Sequence, residues 1–108
     1  MNIEELRNYA LSLEDVTEGF PFGEDTLVFK VKEKIFLLTS LASAPLRFNV
    51  KCDPDLAIEL RERYDSVLPG YHMNKKHWNT IIIDGTFSKK QVEEFVLHSY
   101  DLVLKKKR

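Results

Sequence analysis

Apolar residues recur at helical spacing at the start of the chain. Asn2 can cap a helix, and Glu5 lies three residues later, where it can complete a capping box. The apolar residues that follow occupy positions i, i+3, i+4 and i+7, namely Leu6, Tyr9, Ala10 and Leu13. This pattern predicts a first amphipathic helix. Residues 14–25 lack the period and contain three turn-forming residues around Phe20 and Phe22, which predicts a loop with aromatic anchors.

The middle of the chain has the patterns of strands. Residues 27–31 and 35–39 are apolar segments separated by Lys32, Glu33 and Lys34, a connection short enough for an antiparallel hairpin. In residues 46–52, apolar and polar side chains alternate, which is typical of a strand with one face in water. The polar side of that strand carries two cations and no acid: Arg47, Asn49 and Lys51.

The second half of the chain predicts two more helices and another strand. A helix is expected to start at Asp53 and Pro54, a capping residue followed by a helix-compatible proline. Residues 79–83 are typical of a strand. Ser88 and Gln91 form the capping box of a last helix with an apolar face.

The order of these elements is helix, two or three strands, helix, one or two strands, helix. Pro69 and Gly70 break the chain before the last strand, and the central connections are too short for crossover helices. The pattern predicts an α+β fold in which helices pack on one face of an antiparallel sheet. Residues 1–108 are expected to form a single domain with a short basic tail at 105–108.

Composition limits the classes of function. The chain has 108 residues, 44% of them hydrophobic, and a net charge of −1, so it can bury one core and any basic site must be local. The longest apolar run, from Ile35 to Leu38, is four residues, far short of a membrane span, and no membrane partner is expected. A single cysteine, Cys52, allows no internal disulfide and favours the cytoplasm. A monomer is the default expectation.

Cations and amphipathic aromatic residues are concentrated in one segment. Residues 66–83 contain no acid, yet they hold Lys75, Lys76, Trp78 and two histidines, His72 and His77. Such a mixture suits a polyanion with stackable bases, because ammonium groups bind phosphates and aromatic faces stack. The alternative is a solvated basic turn leading into a strand, with Trp78 packed in the core.

The cations on the solvent-facing side of the strand at 46–52 extend this site if they lie on the same side of the sheet as the segment at 66–83. Arg47, Lys51, Lys75 and Lys76 would neutralise about four phosphates, and duplex affinity would then fall about a hundredfold between 50 and 200 mM salt. His72 and His77 lack a third ligand nearby, so no metal is expected. Cys52 falls on the apolar side of its strand, which predicts a buried thiol. No enzyme signature is present, so neither a catalytic residue nor a cofactor is predicted.

Several motifs together resemble those of a known family. They are Phe20-Pro21-Phe22-Gly23, the strand at 28–31 with Lys34 and Phe36 after it, Lys51 before Asp53-Pro54, the run PGYHMNKKHWNT at 69–80, and Ser99-Tyr100. The chain resembles the MmcQ/YjbR-like family of small bacterial proteins over nearly its whole length, without the basic tail. The resemblance implies a frataxin (CyaY)-like α+β fold and a DNA-binding role for exposed sheet and loop elements. It marks residues 74–79 as the signature segment.

Two hypotheses follow from these residues. The first is a non-enzymatic DNA-binding domain with the site residues Arg47, Lys51, Asn74, Lys75, Lys76, His77 and Trp78. The second is a module that binds a protein or small ligand in a pocket lined by the Phe20–Gly23 loop and the Tyr71–Trp78 segment. The signature segment could also serve folding, with Asn74 and Asn79 satisfying backbone groups.

Overall fold

The structure, a computed structural model, describes residues 1–70 and 73–105. In chain order its elements are α1 (Ile3–Ser12), β1 (Val16–Gly19), β2 (Thr26–Val31), β3 (Lys34–Ser40), β4 (Arg47–Lys51), α2 (Pro54–Arg63), β5 (Val67–Pro69), β6 (Trp78–Ile82) and α3 (Lys89–Leu104). Tyr71, His72 and most of the predicted basic tail, residues 106–108, lie outside the described residues. The expected α+β class is confirmed.

The strands form one antiparallel sheet in the order β1-β2-β3-β4-β6-β5. The predicted hairpin joins β2 to β3, with Lys34 paired to Val31. Its loop is therefore only Lys32 and Glu33, which take the left-handed conformation (φ 49° and 66°) that suits a two-residue hairpin.

The sheet has two short edge strands, of which one departs from the prediction. Residues 14–25 were expected to be a loop, but β1 lies within them, whereas β5 with β6 makes the two strands that the predicted order allowed after α2. Each has only three or four residues, too few to establish an alternation, and they are strands because they pair with β2 and β6.

The three predicted helices are confirmed, together with their caps. The Asn2 side chain accepts a hydrogen bond from the Glu5 N–H at 2.8 Å, and Ser88 accepts one from Gln91 at 3.2 Å. Asp53 caps α2 by accepting from the Leu56 N–H at 3.2 Å. Within residues 1–70 and 73–105, no helix combines the length and apolar character that crossing a bilayer requires.

All three helices lie on one face of the sheet, where the core is buried. α3 packs on β2, β3 and β4, α1 packs on β1 and α3, and α2 packs on β5. Phe29 and Phe36 are fully buried in this layer, and the Phe36 ring meets Tyr100 of α3 edge to face at 5.4 Å. The opposite face of the sheet carries no helix of the described chain, and we call it the open face.

Candidate nucleic-acid interface

Alternation along the strands decides which side chains reach the open face. Phe29 on β2 and Asn79 on β6 point toward the helices, so their neighbours in the strand point away from them. The strand register then places these residues on the open face: Thr17, Gly19, Thr26, Val28, Lys30, Ile35, Leu38, Ser40, Arg47, Asn49, Lys51, Leu68, Trp78, Thr80 and Ile82. Three of them are cations and none is acidic.

Charge is distributed differently in the strands and in the helices. Glu18 is the single acid in the six strands of the described chain; it faces the helices and forms an ion pair with Arg7 of α1 at 2.6 Å. The helices carry eight acidic residues against five basic ones. A net charge of −1 is thus compatible with a locally basic sheet face.

Strands β4 and β6 bring the predicted site residues of the open face together. Lys51 pairs directly with Trp78, Asn49 with Thr80, and Arg47 with Ile82. The Thr80 hydroxyl donates to the Asn49 carbonyl oxygen at 2.6 Å and so joins the two strands at the centre of the row. Lys51 and Trp78 are both half-buried, and directly opposed Cβ atoms lie about 5 Å apart in such a ladder. A cation and an aromatic ring therefore stand side by side.

Gly70 leaves room for the Trp78 side chain. The Gly70 N–H donates to the Trp78 carbonyl at 2.8 Å, which extends the pairing of β5 and β6 by one residue. A Cβ at position 70 would lie 2.7 Å from the Trp78 Cβ and 3.2 Å from the Met73 Cβ. Any larger residue at position 70 would displace the tryptophan.

A tight turn precedes β6, and we call residues 73–77 the basic loop. The Asn74 carbonyl accepts from the N–H groups of His77 (3.1 Å) and Trp78 (2.9 Å), and the Asn74 side chain accepts from the Lys76 N–H at 3.0 Å. These bonds satisfy the backbone of the turn, as expected of an asparagine at this position. Lys75 and Lys76 are exposed.

Arg61 of α2 fixes the basic loop from the helix side. Its Nε donates to the Asn79 side-chain oxygen at 2.7 Å, and its Nη2 donates to the carbonyls of Trp78 (3.1 Å) and Lys75. Asn79 in turn donates to the Ala57 carbonyl of α2 at 3.4 Å. This role of Arg61 has no signal in the local sequence, because 14 to 18 residues separate Arg61 from its partners and only the folded α2 brings them together.

The strand that carries Lys51 is also attached to α3. The Ser99 hydroxyl donates to the Phe36 carbonyl at 2.6 Å and accepts from the Lys51 N–H at 2.8 Å, so it bridges β3 and β4 beyond the end of their ladder. The Cys52 N–H donates to the His77 carbonyl at 2.7 Å. The backbone at Lys51 and Cys52 is therefore held by hydrogen bonds to α3 and to the basic loop.

The Cys52 thiol is buried, as predicted. Burial raises its pKa to about 11, and the carboxylate of Asp53 acts in the same direction. The thiolate is therefore scarce near neutral pH, which makes this residue a poor nucleophile. In the part of the chain that the structure describes, no group of three or more histidine, cysteine or acidic side chains could hold a metal ion, and His72 lies outside that part.

The signature segment contains residues that support the fold and residues that are accessible to a ligand. Asn74 and Asn79 satisfy backbone groups, as the folding hypothesis expected. The alternative interpretation placed Trp78 in the core, and this is wrong. Trp78 is half-buried and lies on the opposite side of the sheet from the core cluster. The segment is thus fixed on one side and displays cations and an indole on the other.

The pocket predicted between two loops is not formed by their described residues. The Phe20–Gly23 loop follows β1 at one corner of the sheet, and the basic loop precedes β6 at the diagonally opposite corner. Four strand spacings separate them, which is roughly 19 Å across the sheet alone. An open groove of about 420 Å³ does lie at the first corner. Its lining residues are Thr17, Glu18, Gly19, Phe20, Pro21, Val28 and Lys30.

Comparison with known proteins identifies the family. The sequence profile of the YjbR family matches residues 11–102, which include every strand and the basic loop. The chain belongs to the YjbR family. The resemblance seen in the sequence is thereby confirmed at the level of the family.

Sequence relatives and solved structures resemble this chain over most of their length. The uncharacterised protein YbdF of Escherichia coli O157:H7 is 36% identical over 94% of this chain and 83% of its own, and YjbR of E. coli K12 is 28% identical over 93% and 85%. The crystal structure of Deinococcus radiodurans protein DR2400 superposes with a TM-score of 0.92 at 42% identity, covering 97% of this chain and 80% of that one. A Pseudomonas syringae crystal structure gives a TM-score of 0.81 at 25% identity, over 95% and 99%.

Proposed function

We propose that this chain is a non-enzymatic DNA-binding domain that holds phosphates with the open face and the basic loop. The observation that carries the proposal is the placement of Lys51 beside Trp78 on a sheet face without acids. Arg47, Lys51, Lys75 and Lys76 are the phosphate contacts in this proposal. DNA fits this surface because its backbone is a regular polyanion and its bases offer flat apolar faces.

The remaining site residues position these groups. Asn74 closes the turn that presents Lys75 and Lys76, and the His77 backbone ties the turn to the end of β4. Arg47 and Lys51 lie four residues apart on one face of β4, a separation of roughly 13 Å. The cations thus form a row along β4 that continues toward the basic loop.

Fluorescence anisotropy of labelled DNA tests the proposal. We expect the wild-type protein to bind in the micromolar range, with duplex affinity falling about a hundredfold between 50 and 200 mM salt if four phosphates are neutralised. Lys75→Glu/Lys76→Glu should weaken binding and lower the salt dependence. Lys89→Glu/Lys90→Glu is the matched control, because it makes the same change of charge on two exposed residues of the helix layer.

A basic-loop variant that binds like the wild type, with the same salt dependence, would contradict the proposal. We expect Lys89→Glu/Lys90→Glu to remain folded, because the exposed ion pair of Lys89 with Glu5 contributes little to stability. Equal loss in both double variants would indicate binding governed by net charge and not by this surface.

A second candidate function is the binding of a small ligand, and the groove at the β1 corner favours it. Phe20 and Pro21 offer apolar walls there, and Lys30 could hold an anionic group. This function predicts an interaction that depends much less on salt than DNA binding does, because only one cation contacts the ligand, and that Phe20→Ala abolishes. A ligand-fluorescence screen with unchanged response in Phe20→Ala would count against it.

The frataxin-like relationship is part of the proposal for the fold. It is supported by the α+β arrangement, with one antiparallel sheet and helices on a single face. Superposition on a frataxin tests it: a TM-score below 0.5 would contradict the relationship. DNA binding through the open face does not depend on this result.

A further inference from the structure

We propose that the open face binds single-stranded DNA in preference to duplex DNA, with the Trp78 indole stacked on an unpaired base. This inference rests on the proposed function and names the form of DNA that the site would take. It is carried by three features of the described residues: the width of the sheet, the position of Trp78 and the distribution of charge around it.

The width of the sheet excludes its open face from a duplex groove. Six paired strands span about 24 Å across the sheet, whereas the major groove is about 12 Å wide and admits one helix or a two-stranded ribbon. A duplex could meet this face only with its outer phosphates. A single strand can lie on the face with its bases turned toward the protein.

Trp78 has the surroundings of a stacking residue. It lies outside the core cluster and is half-buried, so part of the indole remains accessible. Lys51 lies opposite on one side, and on the other side Gly70 allows the backbone of β5 to approach the base of the Trp78 side chain closely. Its backbone is fixed by Arg61 and by Gly70, so little further ordering is needed when a base stacks on it.

The charge around Trp78 matches a strand that crosses it. Lys51 is its cross-strand neighbour, Lys76 is two residues before it in the chain, and Arg47 lies farther along the same face of β4. Phosphates on both sides of a stacked base would therefore meet cations without a nearby carboxylate from the strands. Sequence preference is expected to be weak, because stacking accepts any base.

The intrinsic fluorescence of Trp78 tests the inference directly, because it is the single tryptophan of the chain. Unlabelled oligothymidylate of about 12 nucleotides should quench it, and a duplex of equal length should not. Anisotropy with both probes should show at least about tenfold tighter binding of the single strand. If four cations are engaged, its affinity should fall about fiftyfold between 50 and 200 mM salt.

Two substitutions separate stacking from support of the fold. Trp78→Leu should weaken single-strand binding about tenfold, whereas Trp78→Phe, which keeps an aromatic face, should restore most of it. Phe22→Leu, at the opposite corner and 64% exposed, is the control and should leave binding unchanged. Circular dichroism verifies that each variant is folded, and the quenching experiment on the wild type needs no variant at all.

The possible outcomes distinguish the two proposals. Binding of duplex as tightly as single strand, or single-strand binding without a change in indole fluorescence, would overturn the inference and leave the proposed DNA-binding function standing. Absence of binding to both probes at about 50 mM salt would overturn the proposed function and the inference together. Preferential single-strand binding with quenching, lost in Trp78→Leu and regained in Trp78→Phe, would support both.

Discussion

On the helix side of the sheet, Phe29 and Phe48 are fully buried against the core, whereas on the open face Arg47 is exposed and Trp78 is half-buried. The same strands supply both sets of side chains, because successive residues point to opposite faces. One face is therefore committed to the main core. The open face also has a buried part, which includes Val28 and Leu38, but beside it stand exposed and half-buried groups that contribute little to stability, and these are the groups that a ligand can use.

A nearly neutral chain can present a basic surface because its acidic residues lie away from the open face. Acidic residues lie in the helices and in the loops, and the one acid within the strands of the described chain, Glu18, is neutralised by Arg7. The net charge is a sum over the whole chain and does not show which charges share a surface. A local field depends on which charges share a face, and at physiological salt distant charges are screened within about 8 Å.

The largest expected effect comes from a cavity on the helix side. Phe29→Ala removes a fully buried ring from the core cluster and should lower the free energy of unfolding by about 3–5 kcal/mol. Leu68→Ala on the open face, where the side chain is 40% exposed, should cost less than about 1 kcal/mol. Urea unfolding measures the free energy of unfolding of both variants. A similar loss in the two variants would contradict the distinction between the faces.

The second-largest loss of stability is expected at Arg61, which connects α2 to the basic loop and β6. Arg61→Met removes three hydrogen bonds to the basic loop and β6 and leaves the buried Asn79 without its guanidinium partner, at a cost of about 2–3 kcal/mol. Arg63→Met, on the same helix but exposed beside Tyr64, should cost less than about 1 kcal/mol. Equal unfolding midpoints for the two variants would show that Arg61 does not hold the loop.

A smaller effect is expected where α3 attaches to the strand that carries Lys51. Ser99→Ala removes the bridge between the Phe36 carbonyl and the Lys51 N–H, both of which then lack that partner, and should cost about 2 kcal/mol. Ser12→Ala, which loses an exposed bond to the Tyr9 carbonyl, should change stability by less than about 0.5 kcal/mol. If thermal unfolding shows no difference between the two, the bridge is not part of the support of the open face.

The smallest effect concerns the turn that leads from β6 to α3. Hydrogen bonds from Ser66 and then Thr86 lower the pKa of Asp84 to about 2. Because this pKa is below the unfolded value of about 3.9, the carboxylate stabilises the fold above that pH and loses its contribution as pH falls toward 2. Asp84→Asn should therefore reduce stability at pH 6 more than at pH 2.

Thermal unfolding at the two pH values measures this effect. Asp65→Asn, an exposed carboxylate outside the network, is the control. An Asp84→Asn variant that is destabilised equally at both pH values would contradict the role of the ionised carboxylate.

The elements with strong local patterns could be predicted from the sequence. The capped helices, the β2–β3 hairpin and the alternation that places Arg47 and Lys51 on one face of β4 all depend on neighbours within a few residues. Strand β1 and the position of β5 could not be predicted, because both strands are short and are defined by their pairing with β2 and β6. The role of Arg61 depends on the packing of α2 against β6, and the separation of the two loops depends on strand order, neither of which is a local property.

The salt dependence of DNA binding by an open-face variant tests the central claim most directly. Arg47→Gln/Lys51→Gln removes two charges from the open face, and Lys89→Gln/Lys90→Gln removes two from the helix layer. If the open face holds phosphates, the slope of log affinity against log salt should fall by about two in the first variant and stay unchanged in the second. An unchanged slope in Arg47→Gln/Lys51→Gln would contradict the assignment of DNA binding to this face.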